Sequence, residues 1–203
     1  MHLTRLRLDP FAPRARRDLA DPYEMHRSLV RAFVVDETQT PPRFLWRLET
    51  QAAWSDPQLI VQSSRPGNWR YLDDSAGYLK EPVETKAVTI EDLLRVDARY
   101  RFRLLANPTV AREGKRYGLS SEEAQLAWLS RQGERVGFRV EMALVAASDV
   151  LTSRKGATRI HLRRALFEGI LRASDVAALG NALQAGIGPG KAFGCGLLSL
   201  ARI

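Results

Sequence analysis

The chain has one cysteine, Cys195, and three histidines, His2, His26 and His161, in 203 residues. One cysteine excludes an intramolecular disulfide, and with so few histidines a thiolate or imidazole metal cage is not expected. No His-x-x-x-His pair and no grouped acidic triplet offers another. An enzyme built from this chain is therefore expected to work with no metal and no small-molecule cofactor. Also missing is any run approaching the ~18 consecutive apolar residues of a helical membrane span. The opening "MHLTRLRL" interleaves arginine with leucine instead of forming the apolar stretch of an export signal. A soluble, cytoplasmic protein is the expectation, with no membrane partner.

Positive charge is what the chain has in excess. The net charge is +8, and it is uneven: residues 1–107 carry 17 Lys+Arg against 15 Asp+Glu, residues 108–203 carry 14 against 8. A basic surface suits a polyanionic partner, so the second half is where its footprint is expected.

Residue patterns divide the chain into strands and helices. "HLTRLRL" (His2–Leu8) alternates as a strand, and "DPFAPRARRDLA" reads as a loop. "DPYEMHRSLVRAF" opens with Asp21 at the N-cap position, Pro22 at the first helical position and Glu24 at the capping-box position. It predicts a helix from Pro22 to Val34 with Met25, Leu29 and Phe33 inward. Strands follow at Arg43–Glu49 and Pro57–Ser63, a short helix after Thr89, and a strand at Ala98–Ala106 stopped by Asn107–Pro108. That order is β-α-β-β-α-β, the ferredoxin-like unit.

The second half repeats the theme less cleanly. It predicts a helix over Ser121–Gln132 capped by Ser120, a strand after Gly137, and a turn at Lys155–Gly156. A strand over Arg159–Leu171 follows, bulged near Arg163–Arg164. A helix capped by Ser174 and a final strand Leu197–Arg202 complete it. The expectation is an α+β protein of two tandem ferredoxin-like (βαββαβ) domains, 1–107 and 108–203, the second degenerate.

"QAGIGPGKAFGCG" places five glycines within eleven positions. It is not a Walker loop: Ala185 stands where the first glycine belongs, Ala192 where a hydroxyl is needed, and the loop follows a helix instead of preceding one. G-x-G-x-x-G fails as well. Two readings stay open. Gly188, Gly190 and Lys191 could lie along a phosphodiester backbone, with amides donating to phosphate oxygens, or the loop could be a tight helix-to-strand connection.

Tyr23, His26, Arg27 and Arg31 border the polar flank of the strongest predicted helix. Such a set can cleave RNA without metal. The 2′-OH loses a proton and attacks the adjacent phosphorus, and the 5′-oxygen leaves carrying a proton. A histidine can serve either proton step, a tyrosine can polarise the other oxygen, and an arginine stabilises the phosphorane. Arg154, Lys155, Arg159, Arg163 and Arg164 cluster within eleven positions in a predicted β-hairpin, which points to RNA contact.

The tail "FEGIL…QAGIGPGKAFGCGLLSLA", with "DPYEMHRSLVRAF", "FLWRLE", "RFRLLANP" and "EEAQLAWL", resembles the CRISPR-associated RNA-processing endoribonucleases of the CasE type along nearly the whole chain. The resemblance implies metal-independent cleavage of precursor RNA within each repeat hairpin, with 5′-hydroxyl and 2′,3′-cyclic or 3′-phosphate ends. It implies retention of the guide RNA and assembly with the other Cascade subunits. The family's catalytic histidine matches His26 and its tyrosine Tyr23. Arg31 matches a basic residue further along the helix, with Arg27 as the alternative phosphate partner. The family's basic hairpin, which meets the RNA stem, matches the 154–164 cluster. A non-catalytic hairpin-binding scaffold of the same fold is the competing reading.

Overall fold

The computed structural model describes residues 1–34, 39–49, 56–75, 77–155 and 158–203, with the side chains of Arg154, Lys155 and Thr158 outside that set. Gly156, half of the predicted turn, lies outside the described residues.

Alternation builds the first sheet. In β1 (His2–Arg7), Thr4 and Leu6 are buried while Arg5 and Arg7 face outward to Glu84 and Glu81. After β1 come α1 (Pro13–Ala20), α2 (Pro22–Val30), β2 (Phe44–Glu49), β3 (Gln58–Ser63), a one-turn α3 (Arg70–Asp73) and β4 (Glu84–Ala87). Then follow a one-turn α4 (Ile90–Leu93), β5 (Arg99–Ala106), a small hairpin of β6 (Thr109–Arg112) and β7 (Lys115–Gly118), and α5 (Glu122–Arg135). The chain ends with a long ribbon of β8 (Phe138–Lys155) and β9 (Thr158–Ala173), α6 (Val176–Ala185) and β10 (Leu198–Arg202).

Two four-stranded antiparallel sheets result, ordered β2-β3-β1-β4 and β10-β5-β9-β8. Counted within its own unit, each runs fourth, first, third, second, the ferredoxin-like order. The chain divides into one compact unit of residues 1–88 with 192–194 and a second of 89–191 with 195–203. The boundary expected at 107 is thereby corrected. The closing strand of the first unit is β4, four exposed residues with no apolar alternation, so β5 takes its place in a count made from sequence. In the structure β5 pairs Leu104 with Phe167 on one side and with Leu198 on the other, inside the second sheet. The irregularity expected of the second domain is an inserted hairpin, β6–β7, within a complete βαββαβ series.

Each unit has its own core. The first gathers Leu6, Met25, Leu29, Phe33, Trp46 and Val61, the second Tyr100, Leu104, Trp128, Phe138, Phe167 and Leu179. Burial of side chains of this size, about 1.5–3 kcal/mol each, outweighs local preference.

Several local expectations shift. The predicted loop "DPFAPRARRDLA" contains α1, with Pro13 at its start and Ala15 and Asp18 buried. Asp18 is held there by the Tyr78 hydroxyl, which donates at 2.9 Å, and by Arg17. Helix α2 ends at Val30, short of Val34, although Ala32 and Phe33 are still buried. The cap of α5 is Ser121, accepting from Ala124 N–H, and that of α6 is Asp175, accepting from Ala178 N–H. Both lie one residue beyond the predicted caps. The bulges fall on β8, at Val140/Met142 and Val145/Ala147, not on β9 near Arg163.

Candidate active site and nucleic-acid interface

Helix α2 presents the predicted catalytic residues. Asp21 closes α1 and opens α2: its N–H donates to Arg17 O, and its carboxylate accepts from Tyr23 N–H at 2.9 Å. This shared cap leaves Glu24 for ion pairing with Arg27 at 3.0 Å and Arg17 at 3.7 Å. Pro22 at the first position and Met25 and Leu29 in the core set the helix's rotation. Tyr23 and His26, three residues apart, project on one side, about 60° from each other around the axis. Both are half-buried.

His26 is held by rings. Its imidazole stacks on Phe44 with centroids 5.1 Å apart, Phe44 stacks on Phe33 at 4.9 Å, and Phe33 meets Trp69 edge-on at 5.7 Å. Nδ1 is enclosed without a hydrogen-bond partner among the described residues. Burial holds the His26 pKa below the ordinary imidazole value, because the imidazolium has lost its solvation. The ring is therefore neutral at pH 7, and Nε2 is the nitrogen left to exchange a proton.

Arg27 and Arg31 continue round the helix, away from His26. Tyr23, Arg27 and Arg31 step round by about 40° each, which puts Arg31 about 140° from His26 and Arg27 between them. The Arg31 guanidinium lies 5.4 Å above the Tyr71 ring, as does that of Arg14, which also covers Tyr78 at 5.4 Å. Arg17, Arg27, Arg31, Ser28, Asn68 and Tyr71 line an open groove of about 870 Å³. The structure thus places Arg27 next to Tyr23 and does not bring Arg31 to His26.

The β8–β9 ribbon divides the predicted cation cluster. Val150 pairs with Arg163, Thr152 with His161 and Arg154 with Arg159, so Arg159, His161 and Arg163 share one face. Arg159 is exposed on it. Arg164 points to the other face and makes a bidentate pair with Asp149 at 2.9 and 2.5 Å. His161 meets the Thr152 hydroxyl at 3.2 Å.

The glycine run directs several of its polar groups to itself and to β5. Ile187 N–H donates to Gly196 O, Cys195 N–H to Gly190 O, and Gly196 N–H to Leu105 O. The Lys191 ammonium donates to Gly188 O at 2.6 Å. Gly188 has φ +76° and lies so close to Trp128 that a Cβ would stand 3.0 Å from the indole. Gly194 likewise has φ +80°, and a Cβ there would be 3.1 Å from Trp46 in the first unit. Glycine is needed for close packing and left-handed backbone, which favours the tight-connection reading. Cys195 is buried, and burial pushes its thiol up to about 12.

Sequence reasoning overlooks two features. One is the ring beneath His26, Phe44, for which the sequence carries no signal. The other is the β6–β7 hairpin with Arg112, Lys115 and Arg116, whose signal is "REGK": Glu113 and Gly114 have φ 49° and 74°, a two-residue hairpin turn. Among the described residues no three His, Cys, Asp or Glu side chains gather into a metal site, and no helix is long and apolar enough to cross a membrane.

The chain is similar along nearly its whole length to known proteins. Residues 1–202 match the family described as CRISPR associated protein. The CRISPR-associated endoribonuclease Cse3 of Thermus thermophilus is 36% identical over 99% of this chain and all of its own length. The CRISPR system Cascade subunit CasE of Escherichia coli is 28% identical over 90% and 93%. Thermus thermophilus Cse3 bound to an RNA representing a pre-cleavage complex superposes with a TM-score of 0.88 at 36% identity, covering 99% and 98% of the two chains. A match over so much of both lengths, on two sheets of the same order, means that this chain belongs to the CRISPR-associated proteins, in their Cse3/CasE endoribonuclease group.

Proposed function

We propose that the chain is a metal-independent endoribonuclease that cuts the repeat hairpin of precursor CRISPR RNA and keeps the product as a Cascade subunit in the cytoplasm. The observation that carries this reading is the full-length 36% identity to Cse3, an endoribonuclease whose solved structure holds an RNA before cleavage. In the mechanism, neutral His26 takes the 2′-OH proton through Nε2. The 2′-oxygen attacks phosphorus and the bond to the 5′-oxygen breaks. Tyr23 supplies the hydrogen bond or proton on the leaving side, and Arg27 stabilises the charge of the phosphorane. The products carry a 5′-hydroxyl and a 2′,3′-cyclic phosphate. The stem lies on the ribbon face bearing Arg159 and Arg163, its A-form backbone met through phosphates.

The test is cleavage of the host's repeat hairpin in EDTA by wild type and His26→Ala, with a second substrate 2′-deoxy at the scissile position. Wild type is expected to cut, and either change to abolish cutting while leaving binding intact. Tight binding by a wild type that never cuts means a scaffold. Loss of cutting in EDTA alone overturns the acid–base mechanism.

A further inference from the structure

The second unit contains a groove of about 530 Å³ outside the ribbon face and outside α2. Arg116 of β7, Gln132 and Arg135 at the end of α5, and Gly188 and Lys191 of the glycine loop form its walls, over the edge of Trp128. Three cations line it and no carboxylate does.

Several other arginines of the unit are neutralised by carboxylates. Arg99 and Arg172 share Glu141, Arg103 meets Glu168, and Arg164 meets Asp149. Arg116 and Arg135 are exposed and pair with no carboxylate among the described residues. Lys191 is anchored at the rim by Gly188 O. Arg116 and Arg135, two such cations on one concavity, suit an anion from outside, held at more than one point. Trp128 is 4% exposed, so it offers an edge and no stacking face. The groove is equipped to hold phosphates and not to read bases.

Its position points to which phosphates. Gly118, at the end of β7, lies directly on β9: a Cβ there would come within 2.8 Å of Arg163 Cβ. The small hairpin therefore rests against the ribbon at Arg163 and carries Arg116 onward to the groove. The volume suits a few nucleotides of one strand and is far too small for a duplex.

Resting on the RNA-processing reading above, we propose that this groove binds the single-stranded RNA flanking the repeat hairpin, through its phosphates. Arg116 and Arg135 are its principal contacts. The flank adds affinity without adding sequence preference, and the contacts take no part in cleavage.

The test measures binding of hairpins made uncleavable by a scissile 2′-deoxy nucleotide. They carry no flank, a 5′ flank or a 3′ flank, and are titrated over a salt series. Wild type is compared with Arg116→Gln/Arg135→Gln, and with Arg116→Gln alone as a change confined to the exposed hairpin. Wild type should bind one flanked RNA more tightly than the bare hairpin. The double variant should lose about tenfold for that RNA near physiological salt, its log–log salt slope falling by about 1.4, or about 0.7 for each lost single-strand phosphate contact. It should bind the bare hairpin as wild type does, and cut the all-ribonucleotide form of that hairpin at the wild-type rate. Unchanged binding of flanked RNA overturns the proposal and leaves the groove to another partner. An equal loss on the bare hairpin also overturns it, because the groove would then serve the stem. If wild type binds no hairpin, the RNA-processing reading fails first and this inference falls with it.

Discussion

The imidazole of His26 lies flat against the ring of Phe44, with centroids 5.1 Å apart and planes 21° from parallel. Stacking on an apolar face fixes the ring's orientation while stripping water from it. Nδ1 faces the interior without an acceptor, so adding a second proton leaves a charge that nothing nearby compensates. The same contact that aims the histidine also keeps it neutral.

A pH–rate profile follows from this. Single-turnover cleavage should hold its neutral rate as pH falls through about 6.5, where an ordinary imidazole is half protonated, and decline only at lower pH. That is the behaviour of a base with a depressed pKa. A rate that climbs on acidification through the same interval would instead assign His26 to protonating the leaving 5′-oxygen, with Tyr23 on the 2′-OH.

The stability of the protein should carry the same signature. A depressed folded-state pKa means that the unfolded chain binds the proton more readily, so unfolding free energy rises with pH through the window below about 6.5 and is lost as pH falls through it. His26→Phe keeps a ring against Phe44 and removes the titration. Denaturant melts at several pH values should show wild type weakening below neutrality more steeply than the variant. Parallel pH dependence of the two would place the imidazole in solvent.

The same helix shows what can be read from residues alone. Asp21, Pro22 and the Met25–Leu29 spacing signal α2 because capping and amphipathicity are local, and local rules suffice for an isolated helix. The relation of Arg31 to His26 is also local, and a helical wheel separates them. What lies beneath each is not: Phe44 under His26 and Tyr71 under Arg31 come from distant segments brought in by the sheet and α3. For the same reason β4 was illegible. Its four exposed residues earn their place by pairing with β1, which no periodicity in "ETKA" announces. The ribbon's cations were visible as a cluster, but the division of Arg163 from Arg164 depends on pleat and register.

Arg27 and Arg31 should therefore separate in function. In the proposed mechanism Arg27, one turn beyond Tyr23, meets the scissile phosphate, and Arg27→Ala should slow single-turnover cleavage by about a hundredfold. Arg31→Ala should change that rate by no more than about threefold, a barrier change under ~1 kcal/mol. Its cost should appear as about 0.5–1 kcal/mol of lost stability from the contact with Tyr71. Single-turnover rates at saturating enzyme, with melts of both variants, distinguish the roles, and the reverse ranking would return Arg31 to the active site.

The ribbon makes a parallel case, in which a proposed RNA contact and a structural ion pair fall on nearby arginines. Arg159 stands exposed on the face shared with His161 and Arg163, with no carboxylate partner among the described residues. Arg164 is turned to the opposite face and locked to Asp149 by two hydrogen bonds. Arg159→Ala should weaken hairpin binding and lower its log–log salt slope by about 0.9, one duplex phosphate contact. Arg164→Ala should leave that slope unchanged and cost about 0.5–1 kcal/mol of stability, the range of a partly exposed ion pair. Asp149→Asn supplies the control. It breaks the same pair from the other side, so it should destabilise similarly, and by removing a negative charge from the ribbon it should leave RNA affinity equal or slightly raised. If Arg164→Ala flattens the salt slope as Arg159→Ala does, the ion pair opens on binding and both faces of the ribbon meet the RNA.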